Sequence, residues 1–297
     1  TCCLPWNEDF SLDEAAFIRE IEFLVRNGTT NLYIFGTAGE GYAVSDTQFR
    51  EISKLFTEKM RSLGAEPMIG VISLSLNTII ERIEYSRDLG VDEVQISLPA
   101  WGACTGTEIR RFFAETCGRF PDVQFLHYNV ARSKRQLTPD EYGELSALYP
   151  NLVASKSGND SAMHLYDLFT KAPDMRHFLT EFAFGSAGMA GYDAGLLISF
   201  TTINWNKAKE FYSACVAGNQ RLIAHFFKEL SGIRDGLSQA MNPGSHIDGA
   251  YDKLFCKFDD ISFPLRLLPP YSGSENDVFE EFRLFLQENY PDWISGQ

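Results

Sequence analysis

The sequence has too little positive charge for a surface that binds nucleic acid or an anionic membrane. Its 26 Lys and Arg residues stand against 40 Asp and Glu residues, which gives a net charge of −14. The one dense basic run, Arg132-Ser133-Lys134-Arg135, is short. Because phosphate binding depends on clustered cations, we expect no nucleic-acid partner and no membrane partner.

Cysteine pairs, histidine pairs and long apolar runs are missing as well. The six cysteines include no C-x-x-C motif, and a chain of 297 residues needs no disulfides to fold, so we expect free and mostly buried thiols. The five histidines show no ligand spacing, which argues against a metal site. Without a transmembrane run or a visible signal peptide, we expect a cytoplasmic protein. Because the chain begins at Thr1, a removed leader stays an open alternative.

A regular alternation of apolar strands and amphipathic helices is what the sequence does contain. Helix starts are marked by caps such as Ser45, Thr105 and Thr138. The alternation is typical of an α/β fold, either a (β/α)8 barrel or an open doubly wound sheet. The open sheet usually has fewer strands, and no G-x-G-x-x-G follows the first one, so we predict the barrel. The predicted strands are 1–5, 31–35, 67–72, 94–98, 123–130, 152–156, 177–179 and 196–200.

The alternation stops near residue 217, which predicts two domains. Residues 1–217 would form the barrel, and residues 218–297 would form a C-terminal helical domain. Breaks at Asn242-Pro243-Gly244 and Pro269-Pro270-Tyr271-Ser272-Gly273 divide that second part. Its predicted helices are 218–236, 246–258 and 275–289.

The predicted strand 152–156 ends on a lysine. Its residues Leu152, Val153 and Ala154 are apolar, so the strand is at least half buried and Lys156 emerges at its C-terminal end. An ammonium there is partly removed from water, which disfavours the charged form and leaves a neutral amine as a nucleophile. Lys156 is therefore a candidate catalytic residue.

Two other strand ends carry compatible groups. The predicted strand 123–130 contains Tyr128 near its C-terminal end. The predicted strand 31–35 runs into the loop Gly36-Thr37-Ala38-Gly39-Glu40-Gly41. A barrel gathers such strand ends at one rim. There, an amine could attack a 2-oxo acid while Tyr128 moves protons and loop N–H groups hold the carboxylate. Each feature alone is more often structural, but their coincidence on one rim favours catalysis.

These residues also carry a family resemblance. Gly36-Thr37-Ala38-Gly39-Glu40, Tyr128-Asn129-Val130 and Lys156 resemble the signature of the dihydrodipicolinate synthase / N-acetylneuraminate lyase family. The resemblance covers nearly the whole chain. It implies pyruvate-dependent class I aldolases and related dehydratases on a barrel with a helical C-terminal domain, working as dimers or tetramers. It also implies site roles: Schiff-base formation for Lys156, proton relay for Tyr128 and Thr37, and substrate binding for Ala38, Ile198 and Arg132.

Several positions depart from that family's pattern. Ala38 stands where a second hydroxyl residue is common. The segment around Arg132, which would hold a distal carboxylate, is one residue shorter, so Lys134 or Arg135 are alternatives. Trp101 replaces a relay tyrosine; its indole can donate a hydrogen bond but cannot shuttle a proton. Glu181 replaces a glycine and would bind a hydroxylated tail, act as a base or lie exposed in a loop.

We therefore predict a lyase that forms an iminium between Lys156 and pyruvate or a 2-oxo-3-deoxy acid and reversibly cleaves a C–C bond. A sugar-acid dehydratase using the same iminium is the nearest alternative, followed by dihydrodipicolinate synthase. A non-catalytic 2-oxo acid sensor is an alternative of another class. We expect a homo-oligomer. We also expect no cofactor, because no phosphate-binding motif for pyridoxal phosphate is evident.

Overall fold

Seven parallel strands form one sheet whose order in space follows the order in the chain. The structure is a computed structural model, and it describes residues 1–241 and 247–294. Each strand pairs with the next one along the chain, and helices connect them. This arrangement confirms the predicted (β/α)8 barrel with C-terminal helices. The strands are β1 (Leu32–Ile34), β2 (Pro67–Gly70), β3 (Glu93–Ile96), β4 (Gln124–Tyr128), β5 (Leu152–Ser157), β6 (Arg176–Thr180) and β7 (Gly195–Leu197).

The two ends of the predicted strand series are less regular than expected. Residues 1–5 form no strand, although the N–H of Cys2 donates to the carbonyl of Tyr33 in β1 at 2.8 Å. Pro5 has no N–H to continue such a ladder. At the other end, β7 stops at Leu197, and Phe200–Ile203 form a 3₁₀ turn. The N-terminal segment is nevertheless buried and packs beside β1.

The barrel helices begin largely where the sequence predicts. Ser45, Thr105 and Thr138 each form a capping box with the residue three positions later. The first helix is capped by the side chain of Asp13, which accepts the N–H of Ala16. The helices are α1 (Glu14–Arg26), α2 (Asp46–Ser62), α3 (Leu76–Asp88), α4 (Gly106–Phe113), α5 (Pro139–Leu148), α6 (Ala162–Lys171), α7 (Glu181–Met189) and α8 (Trp205–Val216). A π-helical turn, Ala114–Gly118, extends α4.

Three further helices follow the barrel. They are α9 (Gln220–Ala240), α10 (Asp248–Asp259) and α11 (Asn276–Asn289). Phe226 of α9 and Phe282 of α11 belong to the same hydrophobic core as the barrel strands. The boundary at residue 217 stays a prediction, and the Asn242-Pro243-Gly244 break lies outside the described residues. Within 1–241 and 247–294, no helix has the length and apolar character needed to cross a bilayer.

Candidate active site

Lys156 lies near the C-terminal end of β5 with its side chain enclosed by two tyrosines. It is 7% exposed. Tyr128 is its register partner on β4, so both side chains project from the same face of the sheet. The Nζ atom of Lys156 lies 3.9 Å from the centre of the Tyr128 ring and donates a hydrogen bond to the hydroxyl of Tyr33. The predicted nucleophile is thus buried and oriented.

Tyr33 is a site residue that the sequence analysis missed. It lies on β1, and its burial raises the pKa of the phenol well above the usual value, so the hydroxyl stays protonated. It can therefore accept a hydrogen bond from Lys156 and donate its own proton elsewhere. The signal was present, because Tyr33 is the polar-tipped residue between Leu32 and Ile34 in an otherwise apolar strand.

The loop after β1 is held in an unusual backbone conformation by contacts from distant parts of the chain. Phe35 and Glu40 have φ angles of 61° and 51°, in the left-handed region that side chains rarely adopt. The Glu40 carboxylate accepts hydrogen bonds from Trp6 Nε1 at 2.8 Å, Lys253 Nζ at 2.6 Å and the Leu268 N–H at 2.7 Å. These contacts fix the loop that carries Thr37 and Ala38.

A cavity of about 160 Å³ joins these elements at the C-terminal rim of the sheet. Its walls come from the barrel strands, the loop after β1, the N-terminal segment and α10. The predicted site residues that line it are Lys156, Tyr128, Thr37, Ala38 and Ile198. The remaining predicted residues, Arg132, Glu181 and Trp101, do not line it.

Glu181 is neither an exposed loop residue nor part of the cavity wall. It is the first residue of α7 and is buried. Its Oε1 accepts the N–H of Ser199 at 2.7 Å and the N–H and hydroxyl of Thr201, each at 3.3 Å. Burial raises the pKa of Glu181, and these hydrogen bonds oppose the rise. Its role in the structure is to hold the segment after β7, which includes the cavity residues Ile198 and Ser199.

The predicted distal-carboxylate arginine is already paired within the chain. Arg132 donates two hydrogen bonds to the carboxylate of Asp248, at 2.8 and 3.2 Å. Of the alternatives, Lys134 donates to the backbone oxygen of Trp101 at 2.8 Å, and Arg135 pairs with Glu141. Arg132 and Arg135 are therefore each paired with a carboxylate of the chain, whereas Lys134 is bonded to a neutral backbone oxygen.

Trp101 lies outside the cavity with its side chain in solvent. The residue is 82% exposed, the most exposed of the large hydrophobic residues that the structure describes. Its backbone oxygen accepts a hydrogen bond from Lys134 at 2.8 Å. A direct contact between the indole and a substrate bound to Lys156 is therefore not part of this arrangement.

Acidic residues of α10 form a wall of the cavity that the sequence analysis missed. Asp248, Asp252 and Asp259 line it, together with Glu20 of α1. The four-residue spacing of Asp248 and Asp252 places them on one helix face, which was a usable signal in the predicted helix. In the part of the chain that the structure describes, no group of three or more acidic, histidine or cysteine side chains could hold a metal ion.

These acids make a pH-dependent contribution to stability. Burial raises the pKa of Asp259 and of Glu20 to about 7. In the unfolded chain both groups titrate near about pH 4. The folded chain therefore keeps protons that the unfolded chain releases, and the stability from this difference is lost as the pH rises from about 4 through about 7.

We expect Asp259→Asn to remove part of this dependence. Relative to the natural chain, the variant should gain about 1–2 kcal/mol in free energy of unfolding between about pH 5 and about pH 8. Urea unfolding at both pH values measures the difference. Asp174→Asn, at an exposed aspartate, is the matched control. If the difference in free energy of unfolding between Asp259→Asn and the natural chain is the same at both pH values, this account is wrong.

Comparison with known proteins agrees with the fold. The model of the dihydrodipicolinate synthetase family matches residues 1–264. An uncharacterized DapA-like lyase of Thermococcus onnurineus is 26% identical over 299 residues, which cover 96% of each chain.

Solved structures share the architecture at low sequence identity. YagE of E. coli K12, a prophage protein of the dihydrodipicolinic acid synthase family in complex with pyruvate, superimposes with a TM-score of 0.81 at 18% identity, covering 97% of this chain and 96% of YagE. A 2-keto-3-deoxygluconate aldolase of Sulfolobus sulfataricus gives 0.78 at 14% identity, covering 98% and 95%. With a family model that matches most of its length, this chain belongs to the dihydrodipicolinate synthetase family of lyases and aldolases.

Proposed function

We propose that the chain is a class I lyase that binds a 2-oxo acid covalently at Lys156 and reversibly cleaves a C–C bond of a 2-oxo-3-deoxy acid. The observation that carries this proposal is the position of the Lys156 amine. It lies in a cavity beside Tyr33, Tyr128 and the loop that bears Thr37 and Ala38.

The proposed reaction starts with the deprotonated amine of Lys156. Its lone pair forms a bond to C2 of the substrate, and the former keto oxygen takes up protons and leaves as water, which gives an iminium. A base then removes the proton of the C4 hydroxyl, and the C3–C4 bond breaks as C4 becomes the carbonyl carbon of an aldehyde, which leaves. The electron pair of the broken bond moves into the iminium to form an enamine. Protonation at C3 and addition of water release pyruvate and the free amine.

The tyrosines supply the proton transfers in this proposal. Tyr128 lies against the amine with its ring face, and Tyr33 is hydrogen-bonded to it, so two phenols flank the nitrogen that bonds to C2, the carbon from which water must leave. We assign Tyr128 to the proton relay and Thr37 to its extension. The N–H groups at Thr37 and Ala38 would hold the carboxylate of the substrate.

The alternatives differ in what the site residues can do. Dihydrodipicolinate synthesis is less well supported, because Arg132 is engaged by Asp248. A sensor without turnover is also less well supported. Although the Trp101 side chain lies in solvent, the Lys156 amine has a hydrogen-bond partner in the phenol of Tyr33. Dehydration of a sugar acid uses the same iminium and stays the nearest alternative.

We also propose that the chain works as a homo-oligomer, a dimer or a tetramer. The exposed ring of Trp101 supports this proposal, because large aromatic side chains are enriched in protein interfaces.

The test is turnover of a panel of 2-oxo-3-deoxy acids, with pyruvate measured by coupling to lactate dehydrogenase. We expect release of pyruvate from at least one acid. A product lighter than the substrate by one water, without pyruvate, would indicate the dehydratase. Efficient covalent trapping of pyruvate by hydride without turnover of any acid would indicate the sensor.

A further inference from the structure

The wall of the cavity formed by α10 is placed to contact the part of a substrate that extends beyond C3. Lys156 and the loop after β1 occupy the barrel side of the cavity, and Asp248, Tyr251 and Asp252 enter it from α10. Gly249 brings this helix close to the loop, since a Cβ atom there would lie 3.3 Å from the carbonyl oxygen of Ala38. A substrate bonded to Lys156 by C2 therefore lies in the same cavity as Asp248, Tyr251 and Asp252 of α10.

The charges on this wall disfavour a substrate with a second carboxylate. Among the described lining residues, Lys156 is the one basic side chain, and Asp248, Asp252, Asp259 and Glu20 are acidic. The adjacent cation, Arg132, is neutralised by Asp248 through two hydrogen bonds. Once the acids of the wall are ionised, which for Asp259 and Glu20 requires a pH above their pKa of about 7, a carboxylate at the free end would meet like charges, and the one basic side chain of the wall, Lys156, is bonded to C2. Like-charge contacts are an effective means of rejecting a ligand.

The same wall offers hydrogen bonds to hydroxyl groups. Oδ1 of Asp252 accepts a hydrogen bond from the Ser199 hydroxyl at 3.0 Å. Among the described residues, no donor reaches its second oxygen, Oδ2. Burial raises the pKa of Asp252 to about 7, and in its ionised form this carboxylate accepts a hydrogen bond from a substrate hydroxyl more strongly than a neutral group does.

We propose that Asp252, positioned by Ser199, binds the hydroxyl groups of the substrate beyond C3, and that the Asp248–Arg132 pair excludes substrates that end in a second carboxylate. This proposal rests on the function proposed above and narrows its substrate to 2-oxo-3-deoxy sugar acids with an uncharged, hydroxylated free end. Both aspartates are specificity residues, because they contact the free end and not the reacting carbonyl.

The experiment compares two cleavable acids that differ at the free end. 2-Oxo-3-deoxygluconate ends in hydroxyl groups and 4-hydroxy-2-oxoglutarate ends in a carboxylate, and both yield pyruvate on cleavage. For the natural chain we expect kcat/KM to favour the hydroxylated acid by about 100-fold. Equal use of the two acids, or preference for the carboxylate, would overturn the proposal.

Three variants test the two assigned aspartates separately. Asp248→Asn frees Arg132 and should shift the preference toward 4-hydroxy-2-oxoglutarate by about tenfold, and Asp248→Asn/Arg132→Ala should lose that shift. Asp252→Asn should lower kcat/KM for 2-oxo-3-deoxygluconate by about 30-fold. The rate of hydride trapping with pyruvate should fall much less, because pyruvate has no free end to bind. Asp174→Asn is the matched control at an exposed position.

The outcomes separate this proposal from the proposed function. Absence of a pyruvate adduct on the natural chain overturns the proposed function, and the inference about the free end with it. Normal trapping with an unchanged preference in Asp248→Asn, or an equal loss of trapping and cleavage in Asp252→Asn, overturns the inference alone. If circular dichroism shows that Asp252→Asn is unfolded, the Asp248→Asn result still decides between these outcomes.

Discussion

Reduction with borohydride in the presence of pyruvate should leave Lys156→Ala without the covalent adduct that the natural chain acquires. The amine at the cavity is the atom that bonds to C2, and an alanine has no group to replace it. We expect pyruvate release from any active 2-oxo-3-deoxy acid to fall by at least about 10⁴-fold. Mass spectrometry of the reduced protein, with peptide mapping, measures both the presence and the position of the adduct.

A matched control separates the loss of this amine from the loss of any lysine. Lys209→Ala removes an exposed lysine from α8 and should form the reduced pyruvate adduct to the same extent as the natural chain. Tyr33→Phe keeps the amine and removes its hydrogen-bond partner, so trapping should slow by about tenfold while the fold is retained. An adduct on Lys156→Ala, or full activity of that variant, would refute the Schiff-base mechanism.

The elements that could be predicted are those encoded by local sequence patterns. The apolar run before Lys156 predicts a buried strand that ends at the rim, and the structure has β5 there. Ser45 and Thr105 predict helix starts, because capping involves residues only three positions apart. The barrel follows from the repetition of such units and from the preference of parallel strands for helical crossovers.

The side-chain partners could not be predicted, because they come from distant parts of the chain. Arg132 pairs with Asp248, 116 positions away, and Lys156 meets Tyr33, 123 positions away. Glu181 was open to three interpretations because the sequence does not show that the backbone after β7 turns back onto the start of α7. The four-residue spacing of Asp248 and Asp252 indicates an acidic face on α10. The position of that face over the cavity depends on tertiary packing alone.

The buried pair of Lys253 and Glu40 shows how this packing reaches the site. Both side chains are completely buried, and Nζ of Lys253 lies 2.6 Å from Oε1 of Glu40. Burial lowers the pKa of Lys253, and the Glu40 charge opposes that shift. The pair joins α10 to the loop that carries Thr37 and Ala38, so the helix that lines one wall of the cavity also fixes the loop on the other.

We therefore expect Lys253→Met to destabilise the chain by about 3–5 kcal/mol, because it leaves the Glu40 carboxylate buried without its cation. Urea unfolding measures this loss, and Lys228→Met, at an exposed lysine of α9, should change stability by less than about 0.5 kcal/mol. Replacing both partners, as Glu40→Gln/Lys253→Met, should cost less than the sum of the single changes, since no unpaired charge remains.

Lys253→Met should also bind pyruvate more weakly than the natural chain, under conditions in which the variant stays folded. Glu40 has a φ angle of 51°, and with one of its three partners removed the loop has less to hold it in that conformation. Because the N–H groups at Thr37 and Ala38 are assigned to the substrate carboxylate, the pyruvate concentration for half-maximal trapping should rise by about tenfold. The limiting trapping rate depends on Lys156 and its tyrosines and should change less. A lower limiting rate at an unchanged half-maximal concentration would show that α10 does not act through the loop.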